Sequence, residues 1–214
     1  MPRSPRLLLS QSYYHIMARG NNHNQIFRSD SDYLKYLELI NKFKAEHSFD
    51  LYHYCLMPNH IHMLVKTNKF TDFSTFMKRL ELAYYYYYKN QYGWVGHLWQ
   101  GRYKNQSVGK DNYFVQCGKY IELNPVRAGI VKLPQEYKFS SFKYYFLGIS
   151  NKLITTDFIY EELGKSSNEQ REKYYNLVIS DIITESYTKK SWGSPVQRYN
   201  EQKKIKNRLL KNTW

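Results

Sequence analysis

Two histidines flank a single apolar residue in Met57-Pro58-Asn59-His60-Ile61-His62-Met63-Leu64-Val65. Side chains alternate between the faces of a β-strand, so His60 and His62 point one way and Ile61, Met63 and Val65 the other. Pro58 and Asn59 are turn residues and set the pair at the start of its strand. Two imidazoles side by side can hold a divalent cation if a third ligand arrives from elsewhere in the chain. On the residues alone, two solvated or hydrogen-bonded histidines with no metal are the commoner arrangement.

A second set of residues suits an anionic partner. Arg19 and His23 sit in a turn-rich segment, and Arg102 and Lys104 fall on one face of an expected strand. The 214 residues carry 32 Lys and Arg against 18 Asp and Glu, a formal charge of +14. Such an excess favours a polyanion, with nucleic acid the first candidate. The 23 tyrosines fit that partner, because rings take unstacked bases while cations meet the backbone. Many of them also suit a core or a strand.

The elements that position these residues follow from periodicity. A strand is expected over Ser12–Ala18, closed by the turn at Arg19-Gly20-Asn21-Asn22. Ser29, Asp30 or Ser31 can cap a helix running to about His47, with Tyr33, Leu34, Leu37 and Ile40 at helical spacing. Strands over Phe49–Met57 and His60–Lys66 are close enough to pair as a hairpin. Thr71 and Asp72 cap a second helix to about Tyr92. Its run Tyr84 to Tyr88 must wrap the helix, so some rings are buried and others exposed. A fourth strand is read over Trp99–Val108 and a third helix from an Asp111 cap to about Leu123, where Pro125 interrupts. On that helix Tyr113, Cys117, Tyr120 and Asn124 share one face, and Phe114, Gly118 and Ile121 form the packing face. The order is the βαββαβ arrangement of a ferredoxin-like α+β fold. It predicts an antiparallel sheet with helices on one face, the other open to a ligand, and one extra helix.

A domain is therefore expected over residues 1–148, with a basic, mainly helical extension over 149–214. Tyr137–Phe146 reads as a short helix, Asn168–Ile179 as a helix, Glu185–Ser194 as a loop and Arg198–Trp214 as a basic amphipathic helix. Two cysteines, Cys55 and Cys117, form no Cys-X-X-Cys motif and no disulfide framework. The apolar run Leu7–Leu9 is too short for a signal-peptide core, and no run approaches the roughly 18 residues of a membrane span. A cytoplasmic protein with no membrane partner is expected.

The ordered motifs resemble a known family. The His60-Ile61-His62 stretch is similar to the His-hydrophobe-His signature of single-tyrosine transposases of the insertion-sequence-200 type. Arg19-Gly20-Asn21-Asn22, Leu98-Trp99-Gln100-Gly101-Arg102-Tyr103-Lys104 and Tyr120-Ile121-Glu122-Leu123-Asn124-Pro125-Val126-Arg127-Ala128-Gly129 resemble the branch associated with repetitive extragenic palindromes (REP). The likeness covers roughly residues 1–148, and the ordered set is far more specific than any one motif. It implies a ferredoxin-like metal-dependent nuclease that cuts single-stranded DNA beside a hairpin. It implies Tyr120 as nucleophile and Asn124 as third metal ligand beside His60 and His62, with Mg²⁺ or Mn²⁺ as the ion. Arg19, Arg102, Lys104, Lys119 and Arg127 are then candidate phosphate contacts, and palindromic DNA the partner of a monomer or homodimer. Two other readings stand beside it: a catalytically silent, regulatory hairpin-DNA-binding protein, and a zinc hydrolase that activates water.

Overall fold

The computed structural model describes residues 8–183 other than 111. The chain forms two compact units, Met1–Tyr175 and Asn176–Trp214, with the boundary inside a helix. The expected loop at Glu185–Ser194, the basic helix at Arg198–Trp214, the cap at Asp111 and the first seven residues lie outside the described residues.

Four strands make one antiparallel sheet: β1 (Tyr13–Arg19), β2 (Phe49–Met57), β3 (His60–Thr67) and β4 (Lys104–Val108), in the order β2-β3-β1-β4. Helices α1 (Asp30–Lys44) and α2 (Phe73–Tyr92) cover one face, as the ferredoxin-like reading expects. Ile16, Ile61, Met63 and Val65 from the strands meet Tyr36 and Ile40 of α1 and Phe76, Leu80 and Tyr84 of α2 there. Each such side chain gains about 1.5–3 kcal/mol from leaving water. Ser29 is the N-cap of α1. Asp72 caps α2 by accepting a hydrogen bond from the Thr75 amide at 2.9 Å, and Gly93 ends it in the left-handed region.

The second face is not open. It carries α3 (Asn112–Arg127), whose Phe114, Cys117, Gly118 and Ile121 are buried, so the packing stripe is wider than Phe114, Gly118 and Ile121 alone. Cys117 belongs to that stripe and not to the exposed face with Tyr113. A register shift between Leu51 and His53 changes which side β2 presents. Leu51 and Tyr54 join the α1/α2 core, while Tyr52 and His53 meet Phe114 of α3 with ring centres 5.2 and 6.0 Å apart.

Helix α3 also runs through Pro125, where the sequence suggests a stop. A proline lacks the N–H that would reach the carbonyl four residues back. The Asn124 amide nitrogen lies 3.4 Å from that carbonyl, of Ile121, and 2.8 Å from the carbonyl of Tyr120. A side-chain donor stands beside the missing main-chain one, and the helix continues to Arg127, with Gly129 turning the chain beyond it at φ +68°.

Strand β4 begins at Lys104, not Trp99. Gly101, at φ +74°, turns the chain just ahead of it, which leaves Arg102 in a bend. The outer edge of β2 is covered by two segments from beyond residue 130. The Leu56 amide donates to the Phe139 carbonyl at 2.9 Å, and the Thr155 amide to the Leu51 carbonyl at 2.8 Å. Tyr137–Ser141 is thus a turn with one bridge, Ser140 to Cys55, and helix α4 is confined to Phe142–Leu147. Helices α5 (Phe158–Glu162) and α6 (Ser167–Ile183) follow. Because residues 150–175 contribute to this packing, the first compact unit continues past 148 to Tyr175.

Candidate active site

The histidine strand is set by its neighbours on both sides. β1 and β3 pair with Arg19 opposite His60 and Met17 opposite His62. The Gly20 amide donates to the Asn59 carbonyl at 2.8 Å. A Cβ on Gly20 would come within 2.3 Å of the Asn24 carbonyl oxygen, so no other residue fits this crossing. The Ile26 and Phe27 amides both donate to the Pro58 carbonyl, at 2.8 and 3.0 Å. That loop is held in turn by the tyrosine run of α2. Tyr84 and Tyr88, both fully buried, donate their hydroxyls to the carbonyls of Ile26 and Gln25 at 2.5 and 2.8 Å. Tyr86, 55% exposed, faces solvent.

His60 is half-buried and His62 is only 4% exposed. His60 Nδ1 lies 2.6 Å from Asn59 Oδ1. An amide oxygen only accepts, so that nitrogen carries the proton and Nε2 the lone pair. His62 Nδ1 lies 2.8 Å from Nε2 of His15, a residue of β1 that is 2% exposed. When His62 donates across this contact, its own Nε2 also holds a lone pair. Burial, with the neighbouring His15 and His60 adding to it, holds the His62 imidazolium far below its usual range. Burial likewise lowers His15, to about 4. Both rings are therefore neutral near pH 7, the form that binds metals.

The Tyr120 ring completes the group from α3. Its centre lies 5.8 Å from that of His62 and 5.9 Å from that of His15, edge-on to both. Burial raises the phenol above its usual range; the Arg127 guanidinium opposes this, and the Cys117 thiol adds to it. The Arg127 guanidinium carbon sits 5.3 Å from the ring centre. One turn on, Asn124 commits its amide nitrogen to the helix carbonyls, so only its amide oxygen could serve a cation. Two neutral imidazoles and an amide oxygen are a donor set that suits a divalent ion of intermediate hardness. Among the described residues no group of three His, Cys, Asp or Glu side chains is placed to hold a metal.

The matching family description is the IS200-like transposases, whose model matches residues 8–124. The chain belongs to that family. No curated protein sequence matches it. Among solved structures, a REP-associated tyrosine transposase bound to a REP hairpin is similar at 20% identity and a TM-score of 0.58, over 73% of this chain and 93% of that one. A Deinococcus radiodurans transposase matches at 19% identity over 61% of this chain and 92% of that one, with a TM-score of 0.37. The fold is thus that of the REP-associated enzyme.

Within this IS200-like frame the candidate cations differ in standing. Arg19, Arg102, Lys104 and Arg127 are exposed. Lys119, on α3, is only 4% exposed, which sets it apart from those four. His15 is the residue the sequence does not single out. Its partner is 47 positions away, and only the pairing of β1 with β3 brings the two together. A lone histidine in a short strand gives no other signal.

The acidic side chain closest in sequence to Tyr120 is turned inward. Glu122, fully buried, accepts from Ser141 at 2.6 Å and Tyr174 at 2.7 Å, and pairs with His53 Nδ1 at 3.0 Å. His53 Nε2 lies 3.4 Å from Asp157. Burial alone would lower His53, but its hydrogen bonds to Asp157 and Glu122 and their charges prevail and raise it to about 9. No helix among the described residues is long and apolar enough to cross a membrane.

Proposed function

We propose that this chain is a divalent-metal-dependent endonuclease and strand transferase for single-stranded DNA, acting beside a hairpin through a 5′-phosphotyrosine on Tyr120. The observation that carries the reading is the Tyr120 ring lying edge-on to His62, although the two are far apart in sequence. Family membership supports DNA cleavage, and the hairpin held by the similar REP-associated enzyme supports the substrate.

His60, His62 and Asn124 would hold the cation, Mg²⁺ or Mn²⁺. When bound, it supplies a Lewis acid for a nonbridging oxygen of the scissile phosphate. His15 orients His62 and keeps it neutral. Tyr120 provides the attacking oxygen. Its phenol is raised by burial, so it gives up its proton only as the new bond forms, and the Arg127 charge favours the developing phenolate. The proton passes to solvent and the phenolic oxygen bonds to phosphorus. The bond to the 3′-oxygen breaks, and that oxygen takes up a proton. The ester remains on the protein, so a 3′-hydroxyl can reverse the step and join strands. Arg19, Arg102, Lys104 and Arg127 are the phosphate contacts in this reading.

A zinc hydrolase would need a carboxylate base beside the imidazoles. Glu122 is committed on the far side of α3 to His53, Ser141 and Tyr174, which disfavours that alternative. The test is a denaturing gel of the protein mixed with single-stranded hairpin DNA and Mn²⁺. A covalent adduct is expected, lost with EDTA and lost in Tyr120→Phe. An adduct that persists in Tyr120→Phe would place the nucleophile elsewhere, and hairpin binding with no cleavage under any metal would leave a silent binding protein.

A further inference from the structure

A groove of about 800 Å³ lies between the outer face of α2 and the 96–103 segment, apart from the histidine strand. Lys78, Leu82 and Tyr85 line it from α2, and Trp99, Arg102 and Tyr103 from the opposite wall. We propose that this groove takes an unstacked base, with its flanking phosphates, from the same DNA strand that Tyr120 attacks. The proposal rests on the strand-transfer reading above and names a second DNA subsite for it.

Three observations support that occupant. The first is shape and chemistry. Tyr85 and Trp99 are half-buried, so their rings offer accessible faces within a concave wall, and Leu82 is 48% exposed beside them. Aromatic platforms of this kind stack bases of any sequence. The wall is braced from behind: the Trp99 indole N–H donates to the Glu81 carbonyl at 3.0 Å, and Tyr103 and Ser74 share a hydrogen bond at 3.1 Å. These bonds fix Trp99 and Tyr103 in the wall.

The second is charge. Lys78 and Arg102 are exposed at the groove, on a chain of net charge +14. Glu81 is half-buried in the lining. Cations outside and a carboxylate within suit a nucleotide whose phosphates stay at the rim while its base enters. An apolar peptide would make no use of the exposed Lys78.

The third is continuity with the histidine strand. Trp99 bridges Gly20, the Gln100 amide donates to the Arg19 carbonyl at 2.8 Å, and the Asn21 amide to the Leu98 carbonyl at 2.7 Å. Arg19 is in turn opposite His60. The groove wall and the histidine strand are thus tied to the same residues of the β1 end.

The experiment uses the full chain and single-stranded hairpin oligonucleotides in which 2-aminopurine replaces one flanking base at a time. A several-fold loss of 2-aminopurine emission is expected at one defined position. In Leu82→Glu or Tyr85→Ala that quenching is expected to disappear and the Kd for DNA to rise about 10-fold, one stacked base being worth ~1–3 kcal/mol. The Tyr120 adduct should still reach its full yield at saturating DNA. Adduct formation with no quenched position, or quenching and affinity unchanged in both variants, would overturn the groove and leave the strand-transfer reading standing. Quenching that is lost in the variants, from a protein that forms no adduct, would support the groove and sink the strand-transfer reading instead.

Discussion

His15 shows how one neutral ring can govern another. Its Nε2 is 2.8 Å from the only nitrogen of His62 that need not face a cation. Partners of this kind fix a ligand's tautomer, and their loss typically costs about 10–100-fold in metal affinity. His15→Phe keeps the ring volume and removes the nitrogens. The Mn²⁺ concentration giving half-maximal adduct should rise about 10–100-fold, with the yield at saturating metal restored. A metal titration of adduct yield checks this; an unchanged midpoint would reduce His15 to a packed side chain. The His60/His62 pair itself was legible in the sequence, because a period of two and an upstream turn are local facts. His15 was not, because its meaning comes from a partner strand, and no local pattern encodes which strand pairs with which.

At the scale of elements, α3 is the part that sequence patterns describe least well. Tyr120 and Asn124 were legible as one face at helical spacing. The continuation through Pro125 was not, because it depends on where the Asn124 amide turns. The wider buried stripe of α3 was hidden for a related reason: the shift in β2 sends His53 and Tyr52 up against Phe114 of α3. Gly118 is the point of closest approach. A Cβ there would lie 2.8 Å from His53 Nε2, in a ring already held by Glu122 and Asp157. Gly118→Ala should therefore destabilise the protein by about 1–3 kcal/mol, the usual cost of overpacking. Urea unfolding would measure it. A neutral effect would mean that the His53 ring can shift within its network.

For the molecule as a whole, buried titratable groups give stability a two-sided pH dependence. His53 is raised to about 9 when folded. Its contribution is complete below the ordinary histidine value near 6.5 and is lost as pH rises through about 9. His15 is lowered to about 4, and burial lowers His62 well below its usual range too. Between about 6.5 and 4 the unfolded chain binds more protons at these sites, so stability falls as the solution is acidified. The melting temperature in EDTA should thus peak near pH 6–7 and fall on both sides. His53→Gln should flatten the alkaline limb and keep the acid one. Melting curves across pH check this, and an alkaline limb that survives in His53→Gln would assign it to another group.

The side-chain amide that stands beside the missing N–H of Pro125 also constrains how this chain can change. An aspartate at residue 124 would offer a cation a harder ligand, but it would remove the donor that the Tyr120 and Ile121 carbonyls now meet. A change from amide to carboxylate at residue 124 thus acts on the backbone beside Pro125 as well as on any cation.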